Sequence, residues 1–454
     1  MSRIFSIWTP LKTADMLKQR IKELSVRRRT FGETALDRVH AKEIEKMLIS
    51  VQQIKNNLLT NYSSDLDEDL EDLDELEMLL LLRYYDVKYT TPGSYDPLPR
   101  LTNRHLTIAA LSTLNVDIPV TFRFRNADQL HRVFIGYQFP AQFTSTYRHS
   151  FQGEEVFLAG LYRLHHVNVF GDIGWQHLFG WDQPRASRAF ALFIDFMYRN
   201  WFYLVNDNLQ FWKPYLPHMA EAIRNKLASL GDLHHSAYAN NGFCVFGFID
   251  NTNLRVCRPG GGPTADGPNA PRNSPLLQRS AYNGWKKFHG YKFQTIHLPN
   301  GMTFHVWGAC SLRHNDLYTY YESNINELIA ELQADQTLQY SIYGDSAYAI
   351  LSESHLAYRY TEATTAAQQL TNNCMSSCRE SIEWSYGDCM THWKMLDFPH
   401  GLKVRQMDVE SMFVCAVLLN NTHITLNGSN TVEYFDCAPP SFDQWVSQGP
   451  RMFV

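Results

Sequence analysis

Two acidic residues each follow a short strand-prone run in this sequence. Residues 242–249 are almost wholly apolar and lead directly into Asp250, and the run 340–343 leads through Gly344 into Asp345. A carboxylate that ends a buried strand is unfavourable unless a partner compensates its charge. Two such carboxylates brought together would repel each other, and a hard divalent cation would relieve that repulsion. The alternative is that each acid is only a turn or helix-capping residue.

A third carboxylate is expected from a later predicted helix, residues 374–396, where Glu380 and Glu383 are the candidates. We favour Glu383, because it borders the apolar stripe of that helix and because Gly387, one turn later, would leave room for an approaching strand or metal. Arg379, one turn earlier, would orient the carboxylate through a charged hydrogen bond. The alternative is that Arg379 and Glu383 form a surface ion pair of little energetic weight.

The elements that position these acids are predicted from periodicity and turn residues. Two strand-prone runs flank Asn300 and Gly301, and an Asn-Gly pair in that setting is a strong hairpin signal. Apolar residues at helical spacing then predict a helix over 315–333. A hairpin followed by a helical crossover brings the fourth strand alongside the first in parallel, so Asp250 and Asp345 should become neighbours. The predicted fold is therefore α/β, a mixed sheet with flanking helices.

A helical region precedes the predicted sheet. Residues 154–205 read as three helices, and the last begins with Asp182 as a cap and Pro184 in its first turn. A short helix followed by this one is typical of a helix-turn-helix, whose second helix enters the DNA major groove. The side chains expected to contact DNA are Gln183, Arg185 and Arg188. The alternative is a helical hairpin that only packs.

The composition indicates a folded protein, with 44% hydrophobic and 13% aromatic residues. No apolar run approaches the roughly 20 residues that a membrane-spanning helix requires. The eight cysteines include no Cys-x-x-Cys pair, so reduced thiols are expected rather than a disulfide framework. We therefore expect a soluble intracellular protein with no membrane partner.

Charge is distributed unevenly along the chain. The net charge is −5, but residues 65–77 hold nine acids and no Lys or Arg, which leaves +4 for the rest of the chain. Such a segment is typical of a solvated acidic surface, and the alternative is a segment that mimics DNA or binds a basic partner. The predicted regions are a helical N-terminal region (1–100), a second helical region (101–235), a catalytic core (236–425) with a loop insertion (258–275), and a C-terminal tail (426–454).

Several short blocks resemble successive blocks of the PIF/Harbinger transposases and their domesticated nuclease relatives. In chain order they are FIDNTNLRV (248–256), Lys286-Lys287, LRHND (312–316), YGDSAY (343–348), RESIEWSYG (379–387) and LLNN (418–421). The resemblance covers roughly residues 150–425. The sequence departs from the family pattern at Asn251, where the family usually has Gly, and at 311–313, where a Pro-Gly pair is usual.

This resemblance implies an RNase H-like catalytic core in which Asp250, Asp345 and Glu383 hold two Mg²⁺ ions, for which Mn²⁺ can substitute. The preceding helices would be the family's helix-turn-helix region. Such a site cleaves DNA phosphodiester bonds by two-metal catalysis and can join a freed 3′ end to target DNA. The resemblance further implies double-stranded DNA as substrate, a Myb-like DNA-binding protein as partner and the nucleus as location. A homodimer is expected because two DNA ends are processed together.

Basic residues near the predicted site are expected to contact phosphates, with affinity that falls as salt rises. They are Arg255, Arg258, Arg279, Lys286, Lys287 and Lys292. Asp316, in the block LRHND, is expected to support the site.

Two alternatives to a transposase stay open at this point. One is a domesticated, catalytically quiet protein that binds DNA or a nuclear partner. The other is a Mg²⁺-dependent phosphatase with Asp250 as nucleophile. That class typically has a second Asp two residues after the nucleophile, where this chain has Thr252.

Overall fold

The described part of the chain lies within one compact unit, Pro99–Val454. The computed structural model describes residues 105–145, 148–167, 175, 178–206, 208–232, 243–259, 276–334, 339–345, 348, 365–399, 402–403 and 407–451. The predicted N-terminal region with its acidic segment at 65–77 lies outside these residues, as does most of the predicted loop at 258–275.

Helices form the first half of the described chain. In chain order they are α1 (Ile108–Thr113), α2 (Ile118–Phe122), α3 (Ala127–Gly136), α4 (Gly153–His165), α5 (Gln183–Trp201), α6 (Leu209–Trp212) and α7 (Leu216–Ser229). A small hairpin of β1 (Gln142–Thr144) and β2 (Ser150–Gln152) lies between α3 and α4 in sequence. The predicted start of α5 is confirmed, because the Asp182 side chain accepts a hydrogen bond from the Arg185 backbone N–H. Its predicted apolar stripe is buried.

One mixed sheet forms the centre of the second half. Its strands are β3 (Phe243–Arg255), β4 (Tyr282–Asn283), β5 (Phe288–His297), β6 (Thr303–Ser311) and β7 (Gln339–Tyr343). β5 pairs antiparallel with β3 and β6, and β7 pairs parallel with β3, which gives the order β6-β5-β3-β7, while the short β4 pairs with the start of β5. The predicted hairpin is confirmed, and Gly301 closes its turn at a φ of 81° that side chains other than glycine rarely adopt.

The strand that carries Asp250 is longer than predicted. β3 continues for five residues beyond Asp250, because residues 251–255 pair with residues 294–290 of β5. Asp and Asn usually favour turns, but pairing across the sheet outweighs that local preference here.

Further helices flank the sheet. They are α8 (Leu276–Ala281), α9 (Asp316–Glu322), α10 (Ile325–Ala334), α11 (Ala366–Arg379), α12 (Ser381–His392), α13 (Val409–Asn427), α14 (Asn430–Phe435) and α15 (Phe442–Trp445). Two helices predicted as continuous are each divided. Asn324, at a φ of 54°, separates α9 from α10, and Glu380 separates α11 from α12. The mixed α/β class with flanking helices is confirmed.

Helix α13 is buried along nearly its whole length. The side chain of Asn421 on this helix bonds to both the backbone N–H and the backbone carbonyl of Thr303, each at 2.8 Å, and so takes the place of a neighbouring strand at the start of β6. Among the described residues α13 is long and apolar enough to cross a membrane, but 83% of its most apolar window is buried inside the protein. Burial on all sides is typical of a core helix.

Candidate active site

Asp250 lies in β3, and Asp345 lies two residues after the end of β7, the parallel neighbour of β3. Phe248 of β3 pairs with Tyr343 of β7, and each acid follows its member of this pair by two residues. Burial raises the pKa of the Asp250 carboxyl, and the charge of Asp345 adds to that increase. Gly344 permits this arrangement, because a Cβ atom there would overlap the ring of Tyr348. The structure therefore brings these two predicted site residues together.

Asp250 is held by two donors. Arg379 Nη1 donates to Asp250 Oδ2 at 2.5 Å, and the Asn251 backbone N–H donates to Oδ1 at 2.7 Å. Burial raises the pKa of the Asp250 carboxyl, the Arg379 guanidinium opposes that increase, and the charges of Asp345 and Asp316 add to it. Arg379 thus orients Asp250, whereas the sequence predicted that it would orient Glu383.

Glu383 is exposed on α12. It lies four residues after Arg379, beyond the helix break at Glu380, and three residues before Tyr386, whose hydroxyl donates to the backbone carbonyl of Asp250 at 3.4 Å. Among the described residues, however, no group of three or more His, Cys, Asp or Glu side chains is placed to hold a metal. The role of Glu383 as third ligand therefore stays a prediction.

The expected role of Gly387 is wrong. A Cβ atom at this position would meet no atom within 4 Å, and the residue is exposed. Gly387 therefore does not make room for a packed strand.

Asn251 links the strand that carries Asp250 to the residues that follow Asp345. Its Nδ2 donates to the Tyr348 hydroxyl at 2.8 Å and to Thr319 Oγ1 at 3.1 Å, which ties β3 both to α9 and to the segment that follows Asp345. Sequence reasoning recorded Asn251 only as a departure from a family pattern. The signal that could have identified its role was its position directly after Asp250, on the strand that must meet the YGDSAY block.

Asp316 lies near the pair and has its own cation. Lys292 Nζ donates to Asp316 Oδ1 at 2.8 Å and to the His314 carbonyl at 2.7 Å. Only 7% of Lys292 is exposed, so the structure does not support it as a phosphate contact. The physical reason is that Lys292 lies on the central strand β5, where its ammonium group binds acceptors inside the protein. A supporting role for Asp316 is consistent with this position.

The donor chemistry of the pair fits a divalent cation. Carboxylate oxygens are the ligands that Mg²⁺ prefers, and Asp250 is half-buried beside the like charges of Asp345 and Asp316. The guanidinium of Arg379 already provides positive charge at one oxygen of Asp250. A cation at Asp250 would therefore share that carboxylate with Arg379 or displace the guanidinium.

The side chains of α5 that are predicted to contact DNA differ in exposure and in their contacts with the rest of the protein. Gln183 is exposed and Arg188 is half-buried. Arg185 packs against aromatic rings, with its guanidinium carbon 4.6 Å from the Phe151 ring centre and 5.3 Å from that of Trp181, and it donates to the Ser150 carbonyl. Most of the short helix predicted before α5 lies outside the described residues, so the helix-turn-helix stays a prediction.

Among the other predicted phosphate contacts, Arg255 at the end of β3 and Arg258 just after it are exposed, and the remaining three lie together near one end of β5. Arg279 is exposed on α8, and Lys286 and Lys287 are exposed in the turn between β4 and β5. Their exposure agrees with a role in binding phosphates, in contrast to Lys292.

Comparison with known proteins gives one finding that bears on this site. Residues 265–421 match the family model described as DDE superfamily endonuclease, a family found in Harbinger-type transposases. The match includes Asp345, Arg379 and Glu383 and begins 15 residues after Asp250. No curated protein and no solved structure matches the chain.

The family match indicates the kind of chemistry. A DDE superfamily endonuclease segment suggests a nuclease or transposase that acts on DNA, and members of the superfamily use divalent metals, typically Mg²⁺. The mixed sheet with its flanking helices is consistent with such a nuclease. Over residues 265–421, therefore, this chain is similar to the DDE superfamily endonucleases.

Proposed function

We propose that this protein is a Mg²⁺-dependent DNA endonuclease of the DDE transposase type, with an RNase H-like core. The observation that carries the proposal is that β3, which contains Asp250, pairs in parallel with β7, which ends two residues before Asp345, although the two acids are 95 residues apart in sequence. The family match over residues 265–421 is a separate line of support, because it concerns the sequence after Asp250 and not the pairing of β3 with β7.

Each proposed site residue has a distinct role. Asp250 and Asp345 bind two Mg²⁺ ions, with Glu383 as the third carboxylate and Mn²⁺ as a possible replacement for Mg²⁺. When bound, such ions activate water and stabilise the departing 3′ oxygen of a phosphodiester. Arg379 fixes the orientation of the Asp250 carboxylate, and Asn251 fixes the segment after Asp345 against β3. Asp316 adds negative charge beside the pair.

The proposed DNA contacts are cations and amides on two surfaces. They are Gln183 and Arg188 on α5, and Arg279, Lys286 and Lys287 beside the β4–β5 turn. Contacts of this kind position the backbone of DNA and weaken steeply with added salt. Arg185 would contact DNA only after its guanidinium separates from the rings of Phe151 and Trp181.

The decisive experiment is strand cleavage by an Asp345→Asn variant of the full chain. We expect loss of Mg²⁺-dependent nicking of a supercoiled plasmid with unchanged DNA affinity, because the amide keeps the shape of the carboxylate but removes its charge. Asp443→Asn is the matched control, since this carboxylate is exposed on α15 and pairs with Arg132 at the surface. Undiminished cleavage by pure Asp345→Asn protein would remove Asp345 from the site.

A second candidate function is a catalytically quiet DNA-binding protein. The exposed position of Glu383 and the Arg379 guanidinium on Asp250 both favour it, because neither arrangement requires a metal. The wild-type chain distinguishes the two functions. If it binds DNA but does not nick a supercoiled plasmid in Mg²⁺ or Mn²⁺, the quiet function is the correct one.

Three further parts of the proposal rest on the family resemblance. They are joining of 3′ ends to target DNA, action as a homodimer, and work in the nucleus with a Myb-like DNA-binding partner. Strand transfer into a target plasmid, light scattering of the DNA complex and microscopy of a tagged chain test these parts separately.

A further inference from the structure

The turn between β4 and β5 presents an exposed tryptophan. Residues 284–287 join the two strands and are all exposed. Trp285 is 89% exposed, more than any other large apolar side chain that the structure describes. A Cβ atom added at Gly284 would meet no atom within 4 Å, so the turn is open to solvent at this position. An indole ring in this position is unfavourable in water unless a partner covers it.

The turn is held in one shape by Asn283. Its Oδ1 accepts hydrogen bonds from the backbone N–H groups of Trp285 and Lys286, each at 2.9 Å, and its Nδ2 donates to the Leu312 carbonyl at 3.2 Å. The Lys287 backbone N–H closes the turn on the Asn283 carbonyl at 2.8 Å. The indole is therefore presented on an ordered support, which lowers the entropy cost of binding.

The surface around Trp285 is cationic. A cavity of about 540 Å³ lies beside the turn. It is lined by Arg279, Tyr282, Asn283, Gly284, Leu312 and Arg313. Lys286 and Lys287 follow Trp285 directly, so the turn and the cavity beside it carry four cations. The sequence from 251 to 315 contains eight Lys and Arg residues against one acid, Asp266.

This combination favours nucleic acid over a protein partner. Protein interfaces are depleted of Lys and place aromatic residues among other apolar groups. The one other exposed large apolar residue at this turn is Tyr282, which is 39% exposed. Nucleic acid offers both required features, since bases stack on aromatic rings and the adjacent phosphates bind Lys and Arg.

We propose that Trp285 stacks on a nucleobase that has left the duplex, while Arg279, Lys286, Lys287 and Arg313 bind the neighbouring phosphates. This inference rests on the proposed function for its ligand, DNA.

The base-stacking site is separate from the acidic site. β5 runs from Phe288, next to the turn, to Thr295, which pairs with Asp250. Seven residues of extended strand span about 23 Å, which equals roughly seven base steps of DNA at about 3.4 Å each. Trp285 would therefore hold a base well away from the bond that is cut, and it would contribute to binding rather than to the chemical step.

The test uses the full-length chain in EDTA, so that no metal-dependent cleavage occurs during binding. The probes are a fully paired duplex and the same duplex with one unpaired 2-aminopurine. We expect wild-type protein to quench the 2-aminopurine fluorescence. Trp285→Ala should lose this quenching together with about 5- to 150-fold of the affinity for the unpaired probe, the range expected for one stacked base. Its affinity for the paired duplex should change little.

Three control variants separate stacking from charge and from general exposure. Trp285→Phe should retain most of the quenching, because it keeps an aromatic face. Tyr321→Ala removes an aromatic side chain that is 59% exposed on α9 and should change neither probe. A Lys286→Gln, Lys287→Gln double variant should weaken both probes alike and reduce the slope of log affinity against log salt by about 2, whereas Trp285→Ala should leave that slope unchanged.

Two outcomes would overturn the inference. The first is equal behaviour of Trp285→Ala and wild type on both probes. The second is a change in self-association of Trp285→Ala with intact DNA binding, which would make the turn a protein contact. The nuclease proposal is tested separately. If the wild-type chain quenches 2-aminopurine but never cleaves DNA, the stacking inference stands and the nuclease proposal fails. If the wild-type chain cleaves DNA and Trp285→Ala binds both probes as wild type does, the nuclease proposal stands and the stacking inference fails.

Discussion

At the scale of single residues, the charge of Asp250 is compensated from within the chain. The side chains of Asp250 and Arg379 are 22% and 21% exposed, so water screens their interaction only in part. The like charges of Asp345 and Asp316 act on the same carboxylate. Arg379 therefore supplies, without a metal, some of the positive charge that a cluster of acids requires.

Arg379→Gln is expected to lower the free energy of unfolding by roughly 1–3 kcal/mol in EDTA, because it leaves a half-buried carboxylate without its cation. Mg²⁺ should restore part of this loss if it binds at Asp250, so the melting temperature of the variant should rise with Mg²⁺ more than that of wild type. Thermal unfolding with and without Mg²⁺ measures both effects.

The control for this prediction is Arg199→Gln, which removes an exposed ion pair with Asp195 on α5 and should cost less than about 0.5 kcal/mol. An equal Mg²⁺ response in Arg379→Gln and wild type would contradict competition between the guanidinium and the metal at Asp250.

At the scale of elements, two glycines in helices have opposite surroundings. Gly160 of α4 faces α5, and a Cβ atom there would overlap the ring of Phe193. Gly387 of α12 is exposed, with open space where its Cβ would be. The first glycine therefore permits close packing of two helices, and the second only lowers helix stability.

Gly160→Ala should destabilise the fold by about 1–3 kcal/mol through overpacking, and Gly387→Ala should stabilise it by up to about 1 kcal/mol. Urea denaturation of the two variants measures both changes, and each serves as the control for the other. A destabilised Gly387→Ala protein would mean that this position does face another part of the molecule, as the sequence had suggested.

At the scale of the whole molecule, buried histidines join the helical region to the second half of the chain. His165 Nδ1 lies 3.0 Å from the His392 carbonyl, and the ring of His423 stacks on that of His392 at 4.5 Å. Burial lowers the pKa of His165 to about 4 and lowers the pKa of His423 well below its usual range, and the nearby cation Arg123 acts in the same direction on both. These histidines are therefore neutral in the folded state at neutral pH.

This neutrality predicts acid lability. Below about pH 6.5 the unfolded chain protonates these histidines while the folded chain does not, so stability is complete above that pH and falls as the pH drops towards 4. The expected loss is roughly 2 kcal/mol per histidine at pH 5. Denaturant unfolding at pH 7 and pH 5 measures it. His423→Asn should reduce the difference in unfolding free energy between pH 7 and pH 5 by about the contribution of one histidine. His218→Gln, at an exposed position, should leave that difference unchanged.

The parallel pairing of β3 with β7 could be predicted because its determinants are simple. An Asn-Gly turn at 300–301 and the connection rule for parallel strands are sufficient to place the two strands side by side. The helix breaks at Asn324 and Glu380 could not be predicted, because the apolar period continues through both. A pattern of spacing reports which residues face the core, but it does not report where the backbone changes direction.

The ion-pair partners of charged residues also could not be predicted from the sequence. Arg379 and Glu383 are one turn apart and of opposite charge, which predicts a local pair, yet Arg379 binds Asp250, 129 positions earlier. Lys292 resembles a phosphate contact by composition, but burial commits it to Asp316. Both outcomes depend on which surfaces tertiary packing covers.

The parallel pairing of β3 with β7 also affects chains that stop early. During synthesis β3 is complete long before residues 339–343 leave the ribosome, so one side of this mostly buried strand has no partner in the interval. Unpaired strand edges of this kind recruit other chains. Premature termination before residue 339 would therefore leave a fragment that lacks Asp345 and exposes an unpaired strand edge. Such fragments are expected to aggregate rather than remain soluble.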